Sequence, residues 1–148
     1  MSTSDAAESI TGGCECGAVR YQLTPPLRPA VACHCHQCRR TSGNYVNATS
    51  VPRRHFALLS DDALKWYRSS ERAQRGFCGV CGSSLFWSAD ALDTISIMTG
   101  TIDGATGLRT IAHICVADKG DYYTIDACEP QYPGLDYPSP WPDQSTHG

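Results

Sequence analysis

Seven of the nine cysteines in this 148-residue chain fall into three tight runs: Cys14-Glu15-Cys16-Gly17, Cys33-His34-Cys35-His36-Gln37-Cys38 and Cys78-Gly79-Val80-Cys81-Gly82. Thiolates one or two residues apart converge on one ion without long loops, so this density reads first as metal ligation. Two pairs make one closed four-sulfur site. The triplet makes a second site that is one ligand short. A disulfide framework fits an odd cysteine count poorly, and a cytosolic setting would keep the thiols reduced.

The closed site draws on Cys14, Cys16, Cys78 and Cys81. In Cys78-x-x-Cys81-Gly82 the backbone N–H groups after the first cysteine point at its sulfur, and the glycine relaxes the turn. Cys14-x-Cys16 is tighter and needs an irregular backbone, which Gly12, Gly13 and Gly17 permit. Four thiolates around Zn²⁺ would tie the start of the chain to its middle, and such sites contribute on the order of 10 kcal/mol to folding.

Cys33, Cys35 and Cys38 form the open site, with His34 and His36 interleaved. Three thiolates on zinc leave a fourth position for water or substrate. A structural alternative closes that position with His34, His36 or Cys115, and spacing alone leaves both readings standing. Three thiolates give the complex a net charge of about −1, which blunts its power to acidify water and suits it to holding a fourth thiolate. The expected substrate is therefore a thiol that attacks an electrophile, with His34, His36 or water supplying the proton. Zinc deaminases need a His-x-Glu proton shuttle, and the chain has none.

Bulk properties narrow the partners. A net charge of −3 and a pI near 5.9 argue against nucleic acid, which needs a basic face. The polar, acidic start lacks the basic and apolar regions of a signal peptide, and no stretch is long and apolar enough to span a membrane. A cytoplasmic location is the expectation.

The organisation expected is a disordered lead-in over residues 1–11, one zinc-binding domain over 12–130, and a proline-rich extended tail over 131–148, lying along the domain or along a second copy in a homodimer. Short β-branched or aromatic runs predict strands at 18–23, 45–51, 55–59, Leu64–Arg68, 84–88, Thr94–Met98, 111–116 and 122–126. Gly, Pro, Asn and Asp punctuate them. At most, residues 37–42 form a single helical turn. The fold class is mainly β, a thin core pinned by metal.

The runs GGCECGAVRY, CHCHQCRRTSG, RGFCGVCGSSLFW and HICVADKGDYYTID resemble the glutathione-dependent formaldehyde-activating family, which includes centromere protein V. The resemblance covers residues 12–130. It implies a β-tent of short antiparallel strands with two zinc ions, one structural on Cys14, Cys16, Cys78 and Cys81 and one catalytic on Cys33, Cys35 and Cys38. Arg39, Ser42 and Gly43 match the family pattern after the triplet, and Arg39 and Ser42 are candidates for binding glutathione. The implied activity is that of a carbon–sulfur lyase, reversibly adding glutathione to a small aldehyde such as formaldehyde. One departure is Cys115, which stands where the family usually places a large apolar residue. It reads with Cys128 as a packing residue.

Other residues are weighed more simply. Arg40, Arg72 and Arg75 are further cations for an anionic thiol. Tyr21, Tyr45, Trp66, Phe86 and Trp87 are core or pocket wall, and His113 is a satisfied core histidine. Two rival functions are a zinc-pinned interaction module and a thiol or redox sensor built on the triplet.

Overall fold

The computed structural model describes residues 8–139. It is mainly β, as the strand pattern implies. Strands β1 (Ile10–Gly13), β2 (Arg20–Leu23) and β5 (Phe56–Ser60) form a three-stranded antiparallel sheet in the order β1-β2-β5. The remaining strands are β3 (Ala30–Cys33), β4 (Val46–Pro52), β6 (Leu64–Arg68), β7 (Ala73–Cys78), β8 (Ser84–Ala89), β9 (Thr94–Met98) and β10 (Thr110–Ile114). They form a seven-stranded sheet in the order β10-β3-β4-β9-β8-β7-β6. Its pairs are antiparallel except β10 on β3, which run parallel with Ile114 opposite Cys33. No helix among the described residues is long and apolar enough to cross a membrane.

The large sheet has two buried faces, and the period-2 alternation of its strands assigns them. Ile95 and Ile97 of β9, Val51 of β4 and Phe86 of β8 point into the core with Val19, Tyr21 and Leu23. The alternate residues Ser96, Met98, Ser50 and Trp87 line a cavity. Core packing centres on Phe86, whose ring stands edge-on to Tyr21 and Phe56 at 5.4 and 5.1 Å. Tyr21 donates or accepts a 2.7 Å hydrogen bond with the Thr101 hydroxyl, so its polar tip is satisfied in the interior.

Several expectations are corrected. Ile10 and Thr11, placed in the lead-in, belong to β1; the rest of that segment up to residue 7 lies outside the described residues. Gly12 and Gly13 hid this strand, yet Gly12 is there because a Cβ would sit 2.3 Å from the Tyr21 hydroxyl. Strands β3 and β7 were not expected, since alanines, Gly76 and Arg75 weaken the propensity signal. Residues 122–126 are not a strand. Tyr123 there packs 5.4 Å from the ring of His34, so its aromatic character serves a side-chain contact and not a ladder. The helix is longer than one turn, α1 at His36–Ser42. From the proline-rich tail, Gln131 bridges to His113 and the Tyr132 N–H donates to the His113 carbonyl, so its first residues lie along β10.

Candidate metal centres and their cavity

Cys14 follows β1 directly and Cys78 ends β7, so the first cluster joins the small sheet to the large one at the edge of the core. Cys14, Cys16, Cys78 and Cys81 bring their sulfurs within 4.8 Å of one another. Sγ–Sγ distances are 3.7 Å for Cys14–Cys16 and 3.8 Å for Cys16–Cys78. A tetrahedron with Zn–S bonds of about 2.3 Å has edges of about 3.8 Å, so the donor set fits zinc. Backbone N–H groups already face the sulfurs, from Val19 to Cys14 at 3.2 Å and from Val80 and Cys81 to Cys78 at 3.3 and 3.4 Å. Positive φ values at Gly17 and Gly82 let the chain turn back at both knuckles. The Cys81 thiol is drawn down to about 5, first by the Ser83 hydroxyl 3.2 Å away.

Cys33 ends β3, Cys35 caps α1 and Cys38 lies in its first turn, which folds the CxCxxC run onto itself. The Cys35 sulfur accepts the Cys38 N–H at 3.3 Å. All three sulfurs lie within 4.8 Å of one another. Hydrogen bonds from Cys33 and Cys38 hold the Cys35 thiol far below its ordinary value, while Cys33 is pushed up, first by Cys115 and then by Cys35, and Cys38 is pushed up by Cys33 and Cys35. Thiols this close oppose one another's ionisation. Ionising all three needs a cation at their centre, which is the fit expected of a metal site.

This cluster opens into a cavity of about 660 Å³. Its walls include Val31, Val46, Trp87 and Met98 from the sheet and Pro133, Leu135 and Tyr137 from the tail. Arg28, Arg72 and Arg75 contribute positive charge against the single carboxylate of Asp118. Arg75 stands opposite Trp87 across β7 and β8, and its Nη2 donates to the Cys38 sulfur at 3.6 Å. Gln37 fixes it: Oε1 accepts from Arg75 at 3.1 Å while Nε2 donates to the Ser69 carbonyl at 2.8 Å.

The candidate residues separate clearly in space. His36 lines the cavity beside Cys33, Cys35 and Cys38. His34 is fully buried away from it, stacked on Tyr45 at 4.6 Å. Its ring nitrogens meet the Tyr123 hydroxyl at 2.6 Å and His113 Nδ1 at 2.9 Å, and His113 continues to Glu129. Burial, then the charges of His113 and Lys119, push His34 down to about 4. Neutral and doubly bonded, it braces the ligand loop. Arg39 and Ser42 are absent from the cavity wall, and the Ser42 hydroxyl donates to the Cys38 carbonyl at 2.7 Å near the end of α1. Cys128 is exposed, not packed. Cys115 is buried but lines the cavity. Arg28, in the loop before β3, and Met98, at the end of β9, join this wall only through the tertiary fold, so nothing in the sequence marks them.

A mainly β protein with two thiol clusters of metal-binding geometry, one packed on the core and one facing a basic cavity, defines the class. The model of the glutathione-dependent formaldehyde-activating enzyme family matches residues 9–118, and the chain belongs to that family. An uncharacterised lyase of Schizosaccharomyces pombe is 26% identical over 113 residues, covering 76% of this chain and 82% of that protein. A Rhodobacter sphaeroides protein of known crystal structure shares the fold with a TM-score of 0.55 at 23% identity, over 66% of this chain and 91% of that one.

Proposed function

We propose that the chain is a zinc-dependent carbon–sulfur lyase-type enzyme that reversibly adds a thiol, glutathione in the first instance, to a small aldehyde such as formaldehyde. The observation that carries this reading is the three-cysteine cluster opening into a cavity whose charge is mainly arginine. Family membership and the lyase relative support it. Cys14, Cys16, Cys78 and Cys81 would hold a structural zinc; Cys33, Cys35 and Cys38 would hold the reactive one. When bound there, zinc supplies a place where a thiol is kept as thiolate at neutral pH.

The protein's own groups do the rest. Arg75 offsets negative charge at the sulfurs and, with Arg72, faces the carboxylates of an anionic thiol. Trp87, Val31 and Met98 exclude water around the small electrophile. In the forward step the thiolate sulfur bonds to the aldehyde carbon, the C=O π pair moves to oxygen, and that oxygen takes a proton. His36 and cavity water are the donors in reach, His34 being turned away. Ser42 bonds the helix backbone, and neither it nor Arg39 lines the cavity.

The test follows adduct formation by NMR exchange with the zinc-loaded protein, glutathione and formaldehyde. Acceleration above buffer, abolished in Cys35→Ser, is the expected result. A protein that neither accelerates the adduct's formation nor binds glutathione would overturn the proposal.

A further inference from the structure

The match to the family ends at residue 118, but the wall of the cavity continues past it. Pro133, Gly134, Leu135 and Tyr137 close one side. Backbone hydrogen bonds seat them there: the Tyr132 N–H donates to the His113 carbonyl at 2.8 Å, Cys115 to Gly134 at 2.9 Å, Val116 to Tyr132 at 3.0 Å and Ala117 to Pro133 at 3.2 Å. The bond to Gly134 also fixes Cys115 in left-handed backbone, φ 57° and ψ 36°, which an L-residue adopts only at a cost in free energy. The tail is therefore a built part of the site.

The space it closes is long. Val46, paired with Cys33, stands at the sulfur end. Further along β4, Ala48 pairs with Met98, Ser50 with Ser96 and Pro52 with Thr94, and the cavity follows these pairs as far as Thr94. At about 3.4 Å per residue, the run from Val46 to Pro52 makes a trough of about 20 Å. The small side chains of Ser50 and Ser96 keep its floor low, while Trp87, Leu92, Leu135 and Tyr137 wall it. Leu135 is 43% exposed, a large apolar side chain left uncovered beside the trough.

Neither proposed reactant fills this shape. Formaldehyde has the bulk of one or two waters, about 30 Å³ each, against a cavity of about 660 Å³. Glutathione is a tripeptide that reaches about 10 Å when extended, and its carboxylates gain nothing from Trp87, Leu92 and Leu135. What suits that apolar stretch is a hydrocarbon group on the carbonyl carbon.

The geometry points to a medium-chain aliphatic aldehyde, in preference to formaldehyde, as the electrophile, with Leu135 of the tail a specificity-determining residue. The inference rests on the proposed function for the thiol and the sulfur cluster, and adds the class of aldehyde. The bonds made and broken stay the same: sulfur bonds to the carbonyl carbon, the C=O π pair moves to oxygen, and that oxygen takes a proton. The alkyl chain on that carbon then lies along β4 and β9 beside the tail.

Calorimetric titration of the zinc-loaded full chain with S-methylglutathione and S-hexylglutathione tests this, since these stable thioethers are shaped like a short and a long adduct. Full burial strengthens binding about fourfold per methylene, so a chain half covered in an open trough should give S-hexylglutathione an advantage of about 10–100-fold. Leu135→Ala, at an exposed position in the tail, should cut that ratio about 3–10-fold. Equal affinities in the wild type would overturn the inference and leave the proposed function standing. An unchanged ratio in Leu135→Ala would overturn the part given to the tail. A hexyl preference without adduct formation from any aldehyde would overturn the function alone. Binding of neither compound would overturn the inference whatever the adduct assay reads.

Discussion

Replacing Arg75 tests whether the cavity recognises a negatively charged thiol through the cluster itself. Its Nη2 lies 3.6 Å from the Cys38 sulfur. Two unit charges at that distance attract by about 4–5 kcal/mol at an effective dielectric of about 20. Most of that is offset by desolvation and by sharing the guanidinium with Gln37. Charge-assisted hydrogen bonds contribute about 1.5–3 kcal/mol net, and the half-buried position lowers this to about 1–2 kcal/mol. Arg75→Met should therefore weaken glutathione binding to the zinc-loaded protein by about 5–30-fold, with part regained in Arg75→Lys, which keeps the charge but not the planar fork. Calorimetric titration measures it, at two salt concentrations, and the salt dependence should shrink in Arg75→Met. Zinc content should stay at the wild-type level, because Arg75 donates to a ligand and is not one. Affinity within twofold of wild type in both variants would refute the reasoning.

Three further outcomes follow from the structure. Ser42→Ala should lower stability by about 1 kcal/mol through its lost bond to the Cys38 carbonyl, yet leave the apparent KM for glutathione unchanged; thermal melts and kinetics separate the two. Gly12→Ala places a methyl group 2.3 Å from the Tyr21 hydroxyl, so it should destabilise the fold by about 1–3 kcal/mol in denaturant titrations. Burial raises Tyr21 to about 12. Its stabilising contribution is thus complete below the unfolded value of about 10 and is lost as pH rises from about 10 through 12, a fall of about 2–3 kcal/mol that Tyr21→Phe should not show.

The two clusters were legible in the sequence because ligands close in the chain need little from the fold to meet. The mainly β character was legible because β4, β5, β6, β8 and β9 carry branched or aromatic residues bounded by turn chemistry. What escaped was decided by tertiary contacts. Gly12 looks like a loop residue until Tyr21 is seen to need its space. Arg75 could be named as a cation but not set against Cys38, since that depends on β7 pairing with β8. His34, between two ligands, looked catalytic. The chain leaving β3 turns it to the far side, where Tyr123 and His113 hold it. Cys115 is buried as read, but its place in the cavity wall follows from a left-handed backbone that leaves no mark in composition or periodicity.

The central claim is that the two clusters have different work, one holding the fold and the other facing chemistry. Zinc stoichiometry with thermal unfolding, run in parallel on Cys78→Ser and Cys35→Ser, tests it most directly. A structural site of order 10 kcal/mol rivals the whole stability of a domain, about 5–15 kcal/mol, so Cys78→Ser should fail to fold. Cys35→Ser should keep one zinc and a cooperative melt while losing adduct formation. A folded, active Cys78→Ser protein, or an unfolded Cys35→Ser protein, would contradict the division.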